Sequence, residues 1–293
     1  MPGTREEVPE GQHPSTGEIP FPIVVKPLRL SGSRGVIRAD DRAEFLRAWE
    51  RTRQIVLREG ETLDRGELLV ERYLPGCEVA LEGLLTVGAL QTLALFDKPD
   101  PLEGPFFEET IYVTPSRLPE ATQAAISAQT AEAAAALGLR EGPIHAELRI
   151  NEEGVWLIEM AGRSIGGLCS TVLEFGAGFS LEEIILRHAV GMPLPSTERV
   201  GGAAGVMMIP IPKGGILREV SGCEEAALVP GVTGIEITAP LNQPLTPLPE
   251  GASYLGFIFA RGESLEAAER ALRDAHARLS FRIEPAITLV AVG

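Results

Sequence analysis

Residues 142–160 of the chain read Gly142-Pro-Ile-His-Ala-Glu-Leu-Arg-Ile150, Asn151-Glu-Glu-Gly154 and Val155-Trp-Leu-Ile-Glu-Met160. Two runs that alternate apolar and polar residues flank a polar turn ending in glycine, which predicts a β-hairpin. We expect residues 152–154 to form a three-residue loop, so that Asn151 lies opposite Val155 and Glu147 opposite Glu159. Because side chains alternate across a strand, one face would then carry the apolar residues Ala146, Leu148, Ile150, Trp156, Ile158 and Met160.

The other face of this hairpin would carry the paired glutamates Glu147 and Glu159. Directly opposed carboxylates have Cβ atoms roughly 4.5–5.5 Å apart and repel each other unless a cation lies between them. A divalent ion such as Mg²⁺, with Mn²⁺ as an alternative, prefers carboxylate oxygens and completes its shell with water and phosphates. The competing interpretation is two solvated acids neutralised by Arg149 or Arg163. We interpret His145, on the same face, as a structural partner of the acids.

Composition limits the classes of partner. The chain has 293 residues, 44% of them hydrophobic, which is enough for a core in one large or two modest domains. Its formal net charge of −15 argues against nucleic acid or an anionic membrane as a partner, because both require basic surfaces. No apolar run approaches the roughly 20 residues that span a bilayer. The cysteines Cys77, Cys169 and Cys223 are far apart, which favours reduced thiols and a cytoplasmic location.

The order of patterns along the chain predicts an α+β fold with antiparallel sheets and flanking helices, because hairpin signals are frequent. Asp41-Arg-Ala-Glu44 has the pattern of a capping box and predicts a helix to about Arg58, and the alanine-rich residues 119–137 before Gly138 predict another. Residues 1–19 are polar and rich in Pro, Gly and Glu, and we expect a disordered leader. Residues 192–202 carry the composition of a linker. The sequence therefore predicts one domain over residues 20–195 and a smaller carboxy-terminal α/β lobe over residues 196–293.

A lysine and a glycine-rich segment near the start of the predicted domain suit phosphate binding. Lys26 ends an apolar strand and would supply a point charge. The segment that follows offers backbone N–H groups and hydroxyls to phosphate oxygens. It is neither a Walker A nor a Rossmann sequence, and an ordinary hairpin turn is the alternative. We call this segment the glycine loop; its residues are Ser31, Gly32, Ser33, Arg34 and Gly35.

Three further regions carry side chains suited to nucleotide or substrate binding. In the connector around Pro75-Gly76, Tyr73 and Leu74 would line an adenine pocket while Glu71 or Glu78 accepts bonds from the amino group or ribose; a tight turn with edge acids is the alternative. In the long loop over residues 96–109, Lys98 would meet a phosphate and Glu108 a metal or amine, unless the loop is only surface decoration. Arg163 suits a phosphoryl or carboxylate group.

Taken in order, these segments resemble the ATP-grasp superfamily of carboxylate–amine ligases. Two later segments, the run from Phe96-Asp-Lys-Pro to Pro115 and residues 252–261, look most like the branch that contains L-amino acid ligases. The resemblance covers about residues 20–285. It rests on Pro-Ile-Val-Val-Lys26-Pro, the glycine loop, Glu71-Arg-Tyr-Leu-Pro-Gly, His145-Ala-Glu147 and Ile-Glu159-Met-Ala-Gly-Arg163.

The resemblance implies an ATP- and Mg²⁺-dependent ligase that activates a carboxylate, such as an amino acid or a similar small acid, as an acyl phosphate for attack by an amine. It implies that Lys26 and the glycine loop bind the ATP phosphates, that Glu71, Tyr73 and Leu74 line the adenine pocket, and that Glu78 lies near the ribose. Glu147 and Glu159 would hold the metal. Arg163 would steady the transferring phosphoryl group, with Lys98 as a second catalytic cation. Such a division of labour suits phosphoryl transfer.

The sequence departs from the family in two places. Ala161 stands where many members have an asparagine. Members usually carry an amino-terminal Rossmann-like domain, and only about 20 residues precede the lysine strand here. We therefore expect either a homodimer or a separate partner chain that supplies this domain. The alternatives are therefore a nucleotide-binding subunit that is inactive without a partner, and bicarbonate activation like that of biotin carboxylase.

Overall fold

The computed structural model describes residues 4–5, 19–58, 68–194 and 196–286. One 3₁₀ turn spans Cys169–Val172. The helices are α1 (Arg42–Arg58), α2 (Glu120–Ala136), α3 (Leu181–Ala189), α4 (Cys223–Ala227) and α5 (Leu265–His276). The strands are β1 (Thr4–Arg5), β2 (Ile23–Pro27), β3 (Ile37–Ala39), β4 (Leu68–Arg72), β5 (Cys77–Thr86), β6 (Ala89–Lys98), β7 (Ile111–Thr114), β8 (Gly142–Asn151), β9 (Gly154–Ala161), β10 (Ala203–Ile209), β11 (Gly215–Ser221), β12 (Val232–Ile237), β13 (Pro244–Leu245), β14 (Gly256–Gly262) and β15 (Ser280–Glu284).

The largest sheet has eight strands in the order β12-β14-β10-β7-β6-β5-β8-β9. All of its pairings among the described residues are antiparallel, which confirms the predicted α+β class. Strands from the two sides of the predicted boundary at residue 195 belong to this sheet, because β7 pairs with β10. The division of the chain into a domain and a lobe stays a prediction.

Two smaller sheets flank this one. The first has the order β1-β4-β2-β3 and buries Ile23 and Val25 against Phe45 of α1. The second has the order β13-β11-β15. Of the predicted disordered leader, the structure describes only Thr4–Arg5, which pair with β4, and Ile19. No helix in the described ranges has the length and apolar character needed to cross a bilayer.

Helix α1 begins where the sequence predicts. The Glu44 N–H donates to Asp41 Oδ1 over 2.8 Å, and Glu44 Oε2 accepts from the Asp40 N–H over 2.9 Å. These reciprocal bonds satisfy donors that the first turn of a helix leaves unpaired. The predicted helix over residues 119–137 also forms, as α2, and Gly138 follows it in the left-handed conformation with φ of +73°. Both helix predictions are confirmed.

The glutamate hairpin forms, but its turn differs from the prediction. Asn151 pairs with Gly154, so the turn contains two residues and not three. A β-bulge then shifts the register between Leu148 and Glu147, which makes Ile158 the extra residue of β9. The bulge restores the predicted pairing of Glu147 with Glu159. Because the shift lies between the turn and the glutamates, the predicted apolar face is wrong at two positions. Val155 and Leu157 pack in that core in place of Trp156 and Ile158, whereas Ala146, Leu148, Ile150 and Met160 pack there as predicted.

Candidate active site

A cavity of about 780 Å³ lies between the small sheet, the hairpin and the carboxy-terminal part of the chain. The glycine loop supplies Ser31, Gly32 and Ser33 to its wall. The hairpin and the segment after it supply His145, Glu147, Glu159 and Arg163. Residues 238–257 close the far side with Tyr254 and Phe257 among others. The fold thus brings together sequence-predicted residues that are up to 132 positions apart in sequence (163 minus 31).

Lys26 links the small sheet to the hairpin. It lies on β2, its Nζ donates to the Ile158 carbonyl over 3.4 Å, and it forms an ion pair with Glu71 on the neighbouring strand β4. Ile158 is the bulge residue, directly beside Glu159. Lys26 therefore lies next to the glutamate pair. This position suits the role predicted for its charge, which is to meet phosphates bound to a metal. The sequence analysis placed Glu71 at an adenine pocket. In the structure its carboxylate pairs with Lys26, which does not match that role.

Lys98, which the sequence analysis placed in a long loop, is the last residue of strand β6. Its side chain is only 2% exposed, and Nζ donates to Glu78 Oε1 over 2.7 Å, to Glu147 Oε1 over 2.9 Å and to Glu109. The carboxylates of Glu78, Glu109 and Glu147 would otherwise repel one another, since one oxygen of each lies within 4.8 Å of the others. The predicted contact of Lys98 with a phosphate does not fit this burial. We interpret Lys98 as the internal cation that holds Glu147 in place.

Burial and mutual charge set the protonation of this cluster. Burial raises the pKa of Glu109 to about 8, with a further contribution from Glu147 and an opposing one from Lys98. Burial would also raise the pKa of Glu147, but Lys98 and His145 hold it well below its ordinary value. For Lys98, burial opposes the charge, yet the surrounding glutamates keep its pKa well above the usual range. Glu147 is therefore ionised while its neighbour Glu109 binds a proton readily.

Glu147 is also held from the side by a buried histidine. His145 Nδ1 lies 2.5 Å from Glu82 Oε1, and its Nε2 lies 3.6 Å from Glu147 Oε1. Burial lowers the pKa of His145, but the hydrogen bonds to Glu147 and Glu82 outweigh it and raise the pKa to about 9. The second oxygen of Glu82 accepts from the Ile165 N–H over 3.0 Å. Glu82 thus ties His145 to the segment that follows Arg163, in line with a structural role for the histidine.

The predicted adenine and ribose residues lie beside Arg149. The ring of Tyr73 is buried between the guanidinium groups of Arg38 and Arg149, at 4.1 and 5.2 Å from its centroid. Arg149 donates to the Leu74 carbonyl and to Glu78 Oε2, each over 2.7 Å. The predicted position of Glu78 at a ribose does not fit, because its two oxygens bind Arg149 and Lys98 inside the protein. The adenine role of Tyr73 and Leu74 stays a prediction.

Arg163 is exposed and lines the cavity. Its Nη1 donates to the Ser164 carbonyl over 2.8 Å. Arg163 and the glutamate pair line the same cavity. A planar, permanently charged fork in this position suits a phosphoryl or carboxylate group.

The glutamate pair fits a hard divalent cation. Both Glu147 and Glu159 line the cavity from opposed positions, and three contacts of Glu147, from Lys98, Tyr112 and His145, converge on Oε1. Desolvation by the surrounding protein, and then the charge of Glu147, raises the pKa of Glu159 even though its side chain reaches solvent. Two carboxylates that repel each other on an open wall are the donor set that Mg²⁺ or Mn²⁺ prefers.

Sequence reasoning missed several residues at this site. Glu82 and Glu109 were not singled out, although Glu82 is an acid inside the apolar run Val79–Leu85 and Glu109 directly precedes the buried strand β7. Glu108, which was expected to meet a metal or an amine, does not line the cavity, whereas Glu109 does. An acid within a buried strand is a usable signal, because such a group requires a partner. No local sequence pattern identifies Met208, Tyr254 and Phe257 as residues of the cavity wall.

Residues 19–172 match the family model described as the ATP-grasp domain. The chain therefore belongs to the ATP-grasp family. Residues 207–284 match the model described as L-amino acid ligase C-terminal domain 2. These matches confirm the resemblance that the sequence motifs indicated, including its branch.

Similar proteins of known name agree with this assignment. The crystal structure of an L-amino acid ligase from Bacillus licheniformis has a TM-score of 0.77 and 29% identity, covering 91% of this chain and 66% of that chain. Carnosine synthase 1 of Gallus gallus is 28% identical over 230 residues, which are 73% of this chain and 24% of that protein. Dapdiamide A synthase of Enterobacter agglomerans is 27% identical over 165 residues, 56% of this chain and 38% of that protein. The chain spans less than two thirds of each.

Proposed function

We propose that this chain carries the ATP site of a ligase that joins a carboxylate to an amine. A carboxylate oxygen attacks the γ-phosphorus of ATP, the bond to the β–γ bridging oxygen breaks, and ADP leaves. The amine then attacks the carbonyl carbon of the acyl phosphate, the bond between that carbon and the bridging phosphate oxygen breaks, and inorganic phosphate and a proton depart. The observation that carries the proposal is the meeting of the glycine loop, the glutamate pair and Arg163 around one cavity.

The arrangement supports the first step through position and charge. Lys26 and the backbone of the glycine loop would hold the phosphates, and Arg163 would meet the transferring group from the other side. Phosphoryl transfer needs alignment and charge neutralisation more than covalent help from the protein. When bound, Mg²⁺ would neutralise charge on the phosphate oxygens. Glu147 and Glu159 are the residues that would hold it, with Glu147 kept ionised by Lys98.

The remaining wall of the cavity supports a small organic acid that carries an amino group. Met208, Tyr254 and Phe257 form an apolar side, and Glu109 offers a carboxyl group on the same cavity. An apolar wall with one carboxyl group besides the glutamate pair, able to accept a hydrogen bond from an amine, suits an α-amino acid better than a phosphorylated sugar, which would require more cations. The names of the relatives, L-amino acid ligase and carnosine synthase, agree with a substrate of this kind.

The test is ADP release measured with purified protein and pairs of amino acids. We expect release that requires Mg²⁺, an acid and an amine together. Binding of a non-hydrolysable ATP analogue without release under any pair would favour a nucleotide-binding subunit over a complete ligase. Stimulation by bicarbonate in place of the amino acids would contradict the proposal and favour carboxylase-like activation.

We expect Arg163→Lys to lower kcat for ADP release by about 10- to 100-fold, because lysine keeps the charge but loses the planar fork that binds two oxygens at once. Affinity for the ATP analogue should change less than about threefold, since Lys26 and the glycine loop are intact. Steady-state kinetics and calorimetry measure the two quantities. Arg140→Lys is the matched control, because Arg140 is also exposed and also donates to a backbone carbonyl. An unchanged kcat in Arg163→Lys would remove the assigned role.

A further inference from the structure

The glycine loop is held in place by a loop from the far end of the sequence. This carboxy-terminal loop, residues 246–252, is the first part of the connection between β13 and β14. It lies within the segment that matches the L-amino acid ligase domain. The Gly35 N–H donates to the Pro249 carbonyl over 2.9 Å, and Arg34 Nε donates to the Glu250 carbonyl over 2.8 Å. One of these bonds joins two backbone atoms and the other runs from the Arg34 side chain to a backbone carbonyl, across more than 200 positions of sequence.

The side chain of Glu250 also links the carboxy-terminal loop to helix α1. Arg51 Nε donates to Glu250 Oε1 over 2.7 Å, and Arg51 Nη2 donates to Oε2 over 2.9 Å, which is a bidentate pair. The next residue, Thr52, is fully buried, and its hydroxyl donates to the Gly35 carbonyl over 2.8 Å. Helix α1 thus holds both the glycine loop and the loop that receives it. We call the set of Arg34, Gly35, Arg51, Thr52 and Glu250 the loop bridge.

The conformation of the glycine loop explains why it needs such support. Gly32, Ser33 and Gly35 all have left-handed backbones, with φ of +63°, +55° and +73°. Ser33 is the residue that pays a steric cost for this conformation, because only glycine adopts it freely. Gly32 also packs close to Ala252, since a Cβ at Gly32 would lie 3.3 Å from the Ala252 Cβ. The loop is therefore held in its shape by contacts outside its own sequence.

The loop bridge joins two segments that line the cavity. Ser31, Gly32 and Ser33 line it from the glycine loop, and Ala252, Ser253 and Tyr254 line it from the connection between β13 and β14. Any ligand whose phosphates contact the glycine loop thus contacts a surface that the carboxy-terminal loop has already ordered. Preordering of this kind raises affinity, because the ligand does not have to immobilise the loop.

We propose that Glu250 is a positioning residue that holds the glycine loop in its nucleotide-binding shape through Arg51 and Arg34. The inference rests on the proposed function, since it takes the glycine loop to cover ATP phosphates. It assigns to the carboxy-terminal segment a role in nucleotide binding in addition to its share of the substrate wall. Glu250 itself does not line the cavity and needs no contact with the ligand.

The test compares Glu250→Gln with the wild-type chain by two measurements. The first is the Kd of a non-hydrolysable Mg·ATP analogue, which we expect to rise about fivefold, as the loss of one well-formed, partly exposed ion pair implies. The second is hydrogen exchange in nucleotide-free protein at amides 31–36, which we expect to quicken. A substitution that only lowers global stability would quicken exchange in β5 and β6 as well, so the change must be confined to the glycine loop.

A charge reversal and a matched control sharpen the result. Glu250→Arg alone should weaken binding, and adding Arg51→Glu should restore much of it, because the backbone acceptors of the carboxy-terminal loop remain. Glu284→Gln is the control, since Glu284 pairs with Arg218 over 2.7 Å on the three-stranded sheet, in a similar exposed ion pair. It should alter neither measurement.

The outcomes separate the two proposals. If the wild-type chain fails to bind the analogue, the proposed function is overturned, and exchange at residues 31–36 still reports on the loop bridge. If Glu250→Gln leaves both the exchange and the affinity at wild-type values, the positioning role is overturned while nucleotide binding stands. A rise in Kd that the charge reversal does not repair would also contradict a role through Arg51.

Discussion

Glu159→Gln is expected to reduce Mg²⁺-dependent ADP release by more than about a hundredfold, because even groups that only support a metal ligand cost about 10- to 100-fold when removed. The amide keeps the shape of the side chain but lacks the negative charge that a divalent ion requires. Stability should not fall, since the substitution relieves the repulsion between Glu159 and Glu147 that raises the pKa of Glu159. ADP release at saturating ATP and chemical unfolding measure the two effects.

Glu152→Gln is the matched control for this experiment. Glu152 lies in the turn of the same hairpin and is exposed, so the substitution changes the same charge at a short distance from the site. We expect wild-type ADP release from it. Full activity of Glu159→Gln would refute the assignment of Glu159 as a metal ligand, whatever the control shows.

The second large effect is on stability. Lys98→Met should lower the free energy of unfolding by about 3–5 kcal/mol, because it leaves buried carboxylates without their cation. Glu78, Glu109 and Glu147 all contact the Lys98 ammonium, and in the part of the chain that the structure describes, Arg149 pairs with Glu78 but with neither of the other two. Chemical denaturation in EDTA at neutral pH measures the change without a divalent ion that would replace the lost charge.

Lys213→Met serves as the control for Lys98→Met, since Lys213 is exposed on the connection between β10 and β11. The free energy of unfolding of this variant should stay within about 0.5 kcal/mol of the wild-type value, as is usual for surface substitutions. A loss below about 1 kcal/mol in Lys98→Met would mean that the glutamates take up protons at little cost, and that Lys98 does not organise the cluster.

The hairpin illustrates how far sequence patterns reach. Alternation and the turn composition predicted the element and the Glu147–Glu159 pair correctly. The predicted three-residue loop was wrong, and the pair survives only because the bulge at Ile158 compensates for a shorter turn. Periodicity cannot reveal a bulge, because one extra residue is stabilised by tertiary contacts such as the bond from Lys26 to the Ile158 carbonyl.

The site shows the same limit in its charges. Motifs identified Lys26, the glycine loop, the glutamate pair and Arg163. Most of these residues line the cavity, whereas Lys26, Arg34 and Gly35 do not. The phosphate contact expected for Lys98 does not fit its burial, because strands β5, β7 and β8 and the loop before β7 surround its side chain. Burial of a charge depends on which distant acids surround it. The local sequence does not show which acids these are, because that depends on the order of the strands in the sheet.

The order of strands in the large sheet also constrains how the molecule is made. Strand β7 is fully buried and lies between β6 and β10, so one of its edges stays open until residues 203–209 have left the ribosome. Strand β10 likewise has one unpaired edge until its partner β14, more than forty residues later in the chain, has been synthesised. The last strand of this sheet to be made is β14, which lies between β10 and the edge strand β12. A chain shortened near residue 195 would expose the edge of an apolar strand, and we expect such a product to aggregate instead of folding as a smaller unit.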